Sequence, residues 1–167
     1  MKTLLLVRHA KSSWDNPGMT DFERPLNERG KRDAPRMAKR LKEKEIPVNL
    51  MLTSPAKRAL STCKRIAEVL SYPEEKIKVD DKLYHASEDK MLDIIHGLKD
   101  QNDTVMIFGH NPGLTDFVNS LTNEQIMNVP TCGIVGFNFS VDSWKDVDWS
   151  NGTMLFFDYP KSKSDQD

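Results

Sequence analysis

The sequence predicts an α/β fold with a mostly parallel central sheet, and three observations support this prediction. Short apolar runs that resemble buried strands recur along the first 108 of the 167 residues. Segments of helical periodicity separate these runs, and such alternation is typical of βαβ units. Two further β-rich runs then follow each other without a helix between them, which favours a terminal antiparallel hairpin.

The predicted elements alternate in chain order. The strand-like runs are Thr3–Val7, Asn49–Thr53, Ile77–Val79 and Thr104–Phe108, and the hairpin pairs Gly133–Val141 with Gly152–Tyr159. The helical segments are Asn27–Lys44, Pro55–Leu70, Ser87–Leu98 and a short helix from Pro112 through Leu121.

The first helix has the clearest boundaries. Its apolar residues recur at helical spacing, and Asn27 is a residue type favoured at the N-cap. Pro35 lies inside the segment and lacks a backbone N–H. We therefore expect a kink at this position or a helix that starts later.

Length and composition indicate one domain over residues 1–160, followed by a polar and mobile tail over residues 161–167. With 24 Lys+Arg against 25 Asp+Glu, the net charge of −1 argues against broad nucleic-acid binding. Only four consecutive apolar residues precede Arg8, too few for a signal peptide or a membrane span. We therefore expect a cytoplasmic protein without a membrane partner, in which Cys63 and Cys132 stay reduced.

Basic residues follow three of the predicted strands. Arg8 and His9 end the first strand, Arg58 lies just after the second, and His110 follows the run that ends at Phe108. In open α/β sheets, active sites form beyond the carboxyl ends of the strands. We therefore expect these four side chains to meet in one pocket.

These residue types match the chemistry of phosphoryl transfer. Guanidinium groups such as those of Arg8 and Arg58 form paired, charge-assisted hydrogen bonds with phosphate oxygens. Their positive charges also disfavour protonation of His9, so its ring keeps a lone pair for nucleophilic attack. His110 is expected to donate a hydrogen bond to a nonbridging oxygen and to stabilise the transition state.

Four motifs resemble those of the histidine phosphatase superfamily, the phosphoglycerate mutase-like group, and in particular its small SixA-type members that act on phosphohistidine. They lie at 5–14, 23–30, 54–62 and 108–113 in the expected order. The resemblance covers about residues 2–160, with Ala10 where many relatives have glycine. It implies a three-layer α/β/α sandwich.

Residue by residue, the resemblance makes His9 the phosphorylated nucleophile. Arg8, Arg58 and His110 would bind the phosphoryl group. Ser12 and the backbone N–H of Asn111 are weaker candidates for phosphate contacts. The family works without a metal or another cofactor, so none is expected here.

The sequence departs from the family pattern at the general acid. Many relatives have a glutamate in a Leu-x-Glu setting, but Leu83 and Tyr84 are followed here by His85. His85 and Glu88 remain candidate general acids. A reaction without any general acid also remains open. An alkoxide leaving group needs a proton more than imidazole does, so the missing carboxylate favours phosphohistidine as substrate.

The short segment between Arg58 and His110 leaves little room for a lid, which suits a phosphohistidine displayed on a protein. Two alternatives remain open. One is a general phosphomonoesterase or phosphomutase on the same scaffold, and the other is a regulatory module that binds phosphate without turnover. No P-loop motif is present.

Overall fold

The fold is built on a six-stranded sheet. The structure is a computed structural model and describes residues 1–162. The strands are β1 Lys2–Arg8, β2 Leu50–Thr53, β3 Lys78–Val79, β4 Thr104–Gly109, β5 Ile134–Phe139 and β6 Thr153–Asp158. The strand order in the sheet is β3-β2-β4-β1-β5-β6. Strands β3, β2, β4 and β1 are parallel, whereas β5 is antiparallel to both β1 and β6. The mostly parallel sheet and the terminal hairpin are thus confirmed.

Within the described residues, four α-helices connect the strands; three fall inside predicted segments, and the fourth ends one residue beyond its predicted end at Leu121. They are α1 Glu28–Glu43, α2 Lys57–Val69, α3 Glu88–His96 and α4 Gly113–Thr122. Helix α1 starts directly after Asn27, whose side chain accepts a hydrogen bond from the backbone N–H of Gly30. The helix continues through Pro35, so its start is not delayed.

Two apolar cores lie on opposite faces of the sheet because successive strand side chains point in opposite directions. Leu4 and Leu6 of β1 pack with Phe117 of α4 in one core. Leu5 of β1 packs with Met37 of α1 in the other. Helices therefore cover both faces, which is the predicted three-layer α/β/α sandwich.

The register of the central strands brings the predicted site together. Arg8 of β1 is paired with Gly109 of β4, so His9 and His110 leave the sheet side by side. Thr53 of β2 is paired with Phe108 of β4, and the chain then turns towards α2. Parallel pairing thus places three distant segments at one edge.

The long β1–α1 loop, residues 9–27, folds back over this edge. Ser12 and Leu26 form an isolated antiparallel bridge. The backbone N–H of Asn27 donates to the carbonyl oxygen of Lys11 over 3.0 Å. A Cβ atom at Gly30 would lie 2.1 Å from that same oxygen, so glycine is required where α1 meets the loop.

The C-terminal region packs onto the sheet. Trp144, in the connection between β5 and β6, is fully buried and donates from Nε1 to the carbonyl oxygen of Asn102 over 2.7 Å. Pro160–Ser162 form a short 3₁₀ turn in which the Ser162 hydroxyl donates to the carboxylate of Asp158. The rest of the predicted tail, 163–167, lies outside the described residues. Within residues 1–162, no helix combines the length and apolar character needed to cross a membrane.

Candidate active site

A cavity of about 340 Å³ lies at the carboxyl edge of the parallel strands. Every residue that the sequence proposed for phosphate chemistry lines this cavity. These residues are Arg8, His9, Ser12, Arg58, His110 and Asn111. The structure therefore brings the proposed side chains together, as the strand-end argument predicted.

The nucleophile candidate, His9, is held in one tautomer. Its Nδ1 atom lies 2.8 Å from the carbonyl oxygen of Ala10, and a carbonyl oxygen can only accept a hydrogen bond. Nδ1 therefore bears the proton, and Nε2 keeps its lone pair. Arg58 donates from Nε to this Nε2 atom over 3.4 Å, which places the lone pair next to a guanidinium group.

The surroundings of His9 keep its ring neutral. Burial is the main cause that lowers the pKa of His9 to about 4, although the hydrogen bond to Ala10 opposes this change. The positive charges of Arg58, Arg8 and Arg24 lower the pKa further. At neutral pH the ring is therefore a neutral base, and its Nε2 lone pair accepts only the long hydrogen bond from Arg58.

Arg8 lies at the end of β1, next to His9. Its Nη1 atom donates to the carbonyl oxygen of Val129 over 3.0 Å, and this contact orients the guanidinium group. The buried Nε atom has no hydrogen-bond partner among the described residues.

His110 faces His9 across the cavity, with a distance of 5.2 Å between the ring centroids. Its Nε2 atom lies 2.8 Å from the Ser54 hydroxyl, whereas the buried Nδ1 atom has no partner within the described chain. Burial, followed by the charges of His9 and Arg58, lowers the pKa of His110 to about 3. The burial that lowers this pKa keeps the His110 ring neutral at neutral pH.

Ser12 and Asn111, the weaker candidates for phosphate contacts, differ in their surroundings. The buried Ser12 hydroxyl accepts a hydrogen bond from Arg24. The Asn111 side chain donates to Asn128 over 2.8 Å and accepts from Thr115, so it organises its own loop. The backbone N–H of Asn111 makes no hydrogen bond within the described chain. This N–H stays the predicted phosphate donor, and the Asn111 side chain supports it.

Sequence reasoning missed Asp21, which joins the arginines of the site. Its Oδ2 atom accepts from Arg58 over 3.0 Å and from Tyr84 over 2.7 Å, and Oδ1 accepts from Arg24 over 3.0 Å. Burial would raise the pKa of Asp21, but the hydrogen bonds from Tyr84, Arg24 and Arg58 prevail and hold it well below its usual range. Asp21 lies inside a loop rather than at a strand end, so the strand-end pattern did not reveal it.

Arg24 is a third arginine of the cavity. It is buried, and its guanidinium carbon lies 3.7 Å from the centre of the Trp14 ring. The sequence included Arg24 in the motif at 23–30 but assigned it no role. Arg24 follows no predicted strand, so its place in that motif was the one signal in the sequence.

The two candidate general acids occupy different places. His85 is exposed, lines the cavity and stacks on Tyr84 with 3.9 Å between ring centroids. The Glu88 carboxylate instead accepts a hydrogen bond from Ser120 on α4, and Glu88 is not among the residues that line the cavity. Glu88 thus connects two helices and lies outside the site.

Comparison with known proteins agrees with this geometry. The family model of the histidine phosphatase superfamily (branch 1) matches residues 4–88, which include His9 and Arg58. The chain belongs to the histidine phosphatase superfamily. This histidine phosphatase contains the family's Arg-His motif at the end of its first strand.

Two solved structures share the whole fold. The SixA protein of Agrobacterium tumefaciens, proposed to be a phosphohistidine phosphatase, is 25% identical with a TM-score of 0.78, and the match covers 95% of this chain and 98% of that one. A protein histidine phosphatase SixA bound to tungstate has a TM-score of 0.79 at 21% identity, over 94% of this chain and 96% of the other. The small α/β architecture is thus shared over nearly the full length.

A curated relative extends the comparison to another phosphatase. Phosphoserine phosphatase 1 of Hydrogenobacter thermophilus is 35% identical over 100 residues, which are 59% of this chain and 41% of that protein. Together with the family match, these findings identify the protein as a phosphatase of the histidine phosphatase superfamily. Within residues 1–162, no group of three or more His, Cys, Asp or Glu side chains is arranged to hold a metal ion.

Proposed function

We propose that this histidine phosphatase hydrolyses phosphohistidine on proteins through a covalent intermediate on His9. The observation that supports this substrate is the state of Asp21, the one carboxylate among the described residues that line the cavity. Its low pKa keeps it ionised, so it has no proton to give to a leaving group. The site therefore suits a leaving group that departs without an added proton.

In the first step, the Nε2 lone pair of His9 attacks phosphorus and forms a P–N bond. The P–N bond of the substrate breaks, and its electron pair returns to the substrate imidazole. A substrate ring that is protonated on its other nitrogen leaves as neutral imidazole. An alkoxide would instead require protonation, which contributes roughly 10²–10⁴-fold to rate.

In the second step, water attacks phosphorus, and the electron pair of the P–N bond returns to His9 Nε2. Ala10 supports this step because its carbonyl oxygen keeps the proton on Nδ1 throughout. The intermediate thus stays in the protonated form, whose ring leaves as neutral imidazole. One proton of water passes to solvent, and phosphate is released.

The cationic groups act on the transferred phosphoryl group. Arg8 and Arg58 offer guanidinium N–H groups next to His9, where negative charge lies on the nonbridging oxygens. Nε2 of His110 lies 2.8 Å from the Ser54 hydroxyl, and this contact orients the ring next to His9. The preorganised donors lower the barrier because they need no reorganisation during the reaction.

A second candidate function is the hydrolysis of phosphate monoesters. Two observations favour it: the match to a phosphoserine phosphatase and the exposed His85 at the cavity. A protonated His85 ring would supply the proton that Asp21 lacks. The phosphomutase and the binding module have no comparable support.

The decisive experiment compares kcat/KM for a phosphohistidine peptide and the matching phosphoserine peptide. We expect the phosphohistidine peptide to be preferred by at least about 10²-fold, because only its leaving group departs without an acid. Phosphate trapped on His9 should survive base and be lost in acid. Equal or faster turnover of the phosphoserine peptide would favour the monoesterase, and unlabelled wild type together with a fully active His9→Ala variant would refute the mechanism.

An Asp21→Asn variant separates two roles of this carboxylate. If Asp21 only orients Arg58 and Arg24, kcat/KM for both peptides falls by a similar factor of about tenfold to a hundredfold. If Asp21 donates a proton, the loss is confined to the phosphoserine peptide. We expect the first result because the Asp21 carboxyl group is ionised at neutral pH.

A further inference from the structure

Two exposed aromatic side chains of the β1–α1 loop lie at or next to the catalytic cavity, since Trp14 lines it and Phe22 follows the lining residue Asp21. Trp14 is 75% exposed and Phe22 is 42% exposed, and they are the aromatic members of the large apolar side chains that solvent reaches in residues 1–162. Exposed apolar side chains that cluster at a functional site mark interaction surfaces. We call these two residues the aromatic rim.

Each residue of the aromatic rim connects to the nucleophile through a short series of contacts. The Trp14 ring covers Arg24, which shares the Asp21 carboxylate with Arg58. Phe22 packs edge-on against Tyr84, with 5.3 Å between centroids, and Tyr84 in turn packs edge-on against His110 at 5.6 Å. Both rings are therefore linked by contacts to residues that surround His9.

The loop holds the rim in place before any ligand arrives. The Thr20 hydroxyl donates to the Glu23 carboxylate over 2.8 Å, and Gly18 donates its backbone N–H to the side chain of Asn16 over 3.1 Å. The backbone N–H of Lys57 on α2 donates to the carbonyl oxygen of Phe22 over 3.0 Å. A preorganised rim loses little conformational entropy on binding, so its exposed rings contribute more to affinity.

Cations lie beside the rim among acidic side chains, since Asp15 and Glu23 of the same loop are also exposed. Lys11 is exposed and lines the cavity, and the exposed Lys57 adjoins Phe22. Aromatic residues are enriched at the centres of protein interfaces, where a few of them supply most of the binding energy. Apolar rings beside cations match a protein surface that presents a phosphorylated histidine among apolar side chains.

We propose that the aromatic rim is the docking surface for the substrate protein, with Trp14 and Phe22 in contact with apolar side chains next to the phosphohistidine. This inference rests on the proposed phosphohistidine phosphatase function. It adds that recognition extends beyond the phosphoryl group to the neighbouring residues of the partner. Apolar contacts at the aromatic rim would thus make the enzyme prefer protein substrates over free phosphohistidine.

The test uses two synthetic peptides that each contain one phosphohistidine, flanked by leucines in one peptide and by serines in the other. We expect wild type to prefer the leucine peptide in kcat/KM by about tenfold, equivalent to about 1.4 kcal/mol. Trp14→Ala and Phe22→Ala should each reduce this preference, and the double variant should abolish it. Because Trp14 also covers Arg24, the ratio between the peptides is the readout.

Control variants make the result specific. Leu155→Ala removes a 45% exposed apolar side chain from edge strand β6, outside the cavity, and should keep the preference. Trp14→Phe should keep most of it because an aromatic ring remains. Equal hydrolysis of both peptides by wild type, or a double variant that keeps the preference, would overturn the docking surface.

The peptide experiment distinguishes an error in the docking proposal from an error in the proposed function. If neither peptide is hydrolysed, the phosphohistidine function itself is wrong. If both peptides are hydrolysed equally, the function stands and the rim has no docking role. Equal hydrolysis combined with rim-dependent binding to phosphatidylserine vesicles would assign the rim to a membrane surface instead.

Discussion

The catalytic cavity and a second depression of the protein make an instructive comparison. The second one, which we call the edge groove, lies between β3 and α3 and has a volume of about 800 Å³, against about 340 Å³ for the catalytic cavity. Its floor is apolar, and five lysines surround it. These are Lys76, Lys78, Lys82, Lys90 and Lys99.

The two regions differ in how their positive charges are held. All five lysines of the edge groove are exposed on flexible side chains. In the catalytic cavity, Arg24 and Arg58 are buried and share the Asp21 carboxylate, and Arg58 also contacts His9. Organisation of charge around a neutral nucleophile, rather than volume or number of cations, thus distinguishes the active site.

Removal of one organised arginine should have the largest effect. Arg58→Ala deletes the guanidinium group that contacts His9, and we expect kcat for the phosphohistidine peptide to fall by about 10²–10³-fold. Arg58→Lys should recover little because an ammonium group lacks the paired N–H geometry. Arg65→Ala removes an exposed arginine from the same helix and serves as the control. Similar activity in the Arg58→Ala and Arg65→Ala variants would contradict the comparison.

A smaller but measurable effect is expected on the pKa of His9. NMR titration of the folded protein should place the pKa of His9 near 4, and Arg24→Gln should raise it because one positive charge is lost. Arg65→Gln makes the same charge change far from the ring and should leave the pKa of His9 unaltered.

The same pKa predicts how stability depends on pH. In the unfolded chain His9 binds its proton near pH 6.5, so the free energy of unfolding should decrease as pH falls from about 6.5 to 4. A folded-state pKa of 6.5 would remove the reason for a neutral nucleophile.

The smallest effect should come from the edge groove. Combined replacement of Lys78, Lys82 and Lys90 by alanine removes exposed charges that contact no part of the catalytic cavity. We expect kcat/KM for free phosphohistidine to change by less than about twofold, since isolated surface charges interact weakly in water. A tenfold loss would mean that the edge groove contributes to catalysis.

Local sequence pattern predicted most of the fold and the central part of the site. Apolar runs and helical periodicity located the strands and helices, because each is a local consequence of which residues must be buried. Arg8, His9, Arg58 and His110 were predictable because they follow strands that end at the same edge of a parallel sheet. The motifs then indicated the superfamily that the family match shows.

The pattern did not reveal how the β1–α1 loop enters the site. Asp21, Arg24 and Trp14 follow no strand, and their contacts join residues that are distant in sequence, such as Asp21 with Arg58 and Tyr84. A search for a general acid after the third strand therefore gave His85 and Glu88 as candidates. The tertiary structure places Glu88 between two helices and brings Asp21 to the arginines instead.

The sequence by itself determined the order of strands and helices, the four residues at the strand ends and the chemistry they share, because these depend on local burial and on the geometry of parallel strands. Only the tertiary structure decided the tautomer of His9, the ionised state of Asp21 and the position of the aromatic rim. Each of these depends on distances between segments that are far apart in the chain, and such distances exist only once the β1–α1 loop has folded against α2.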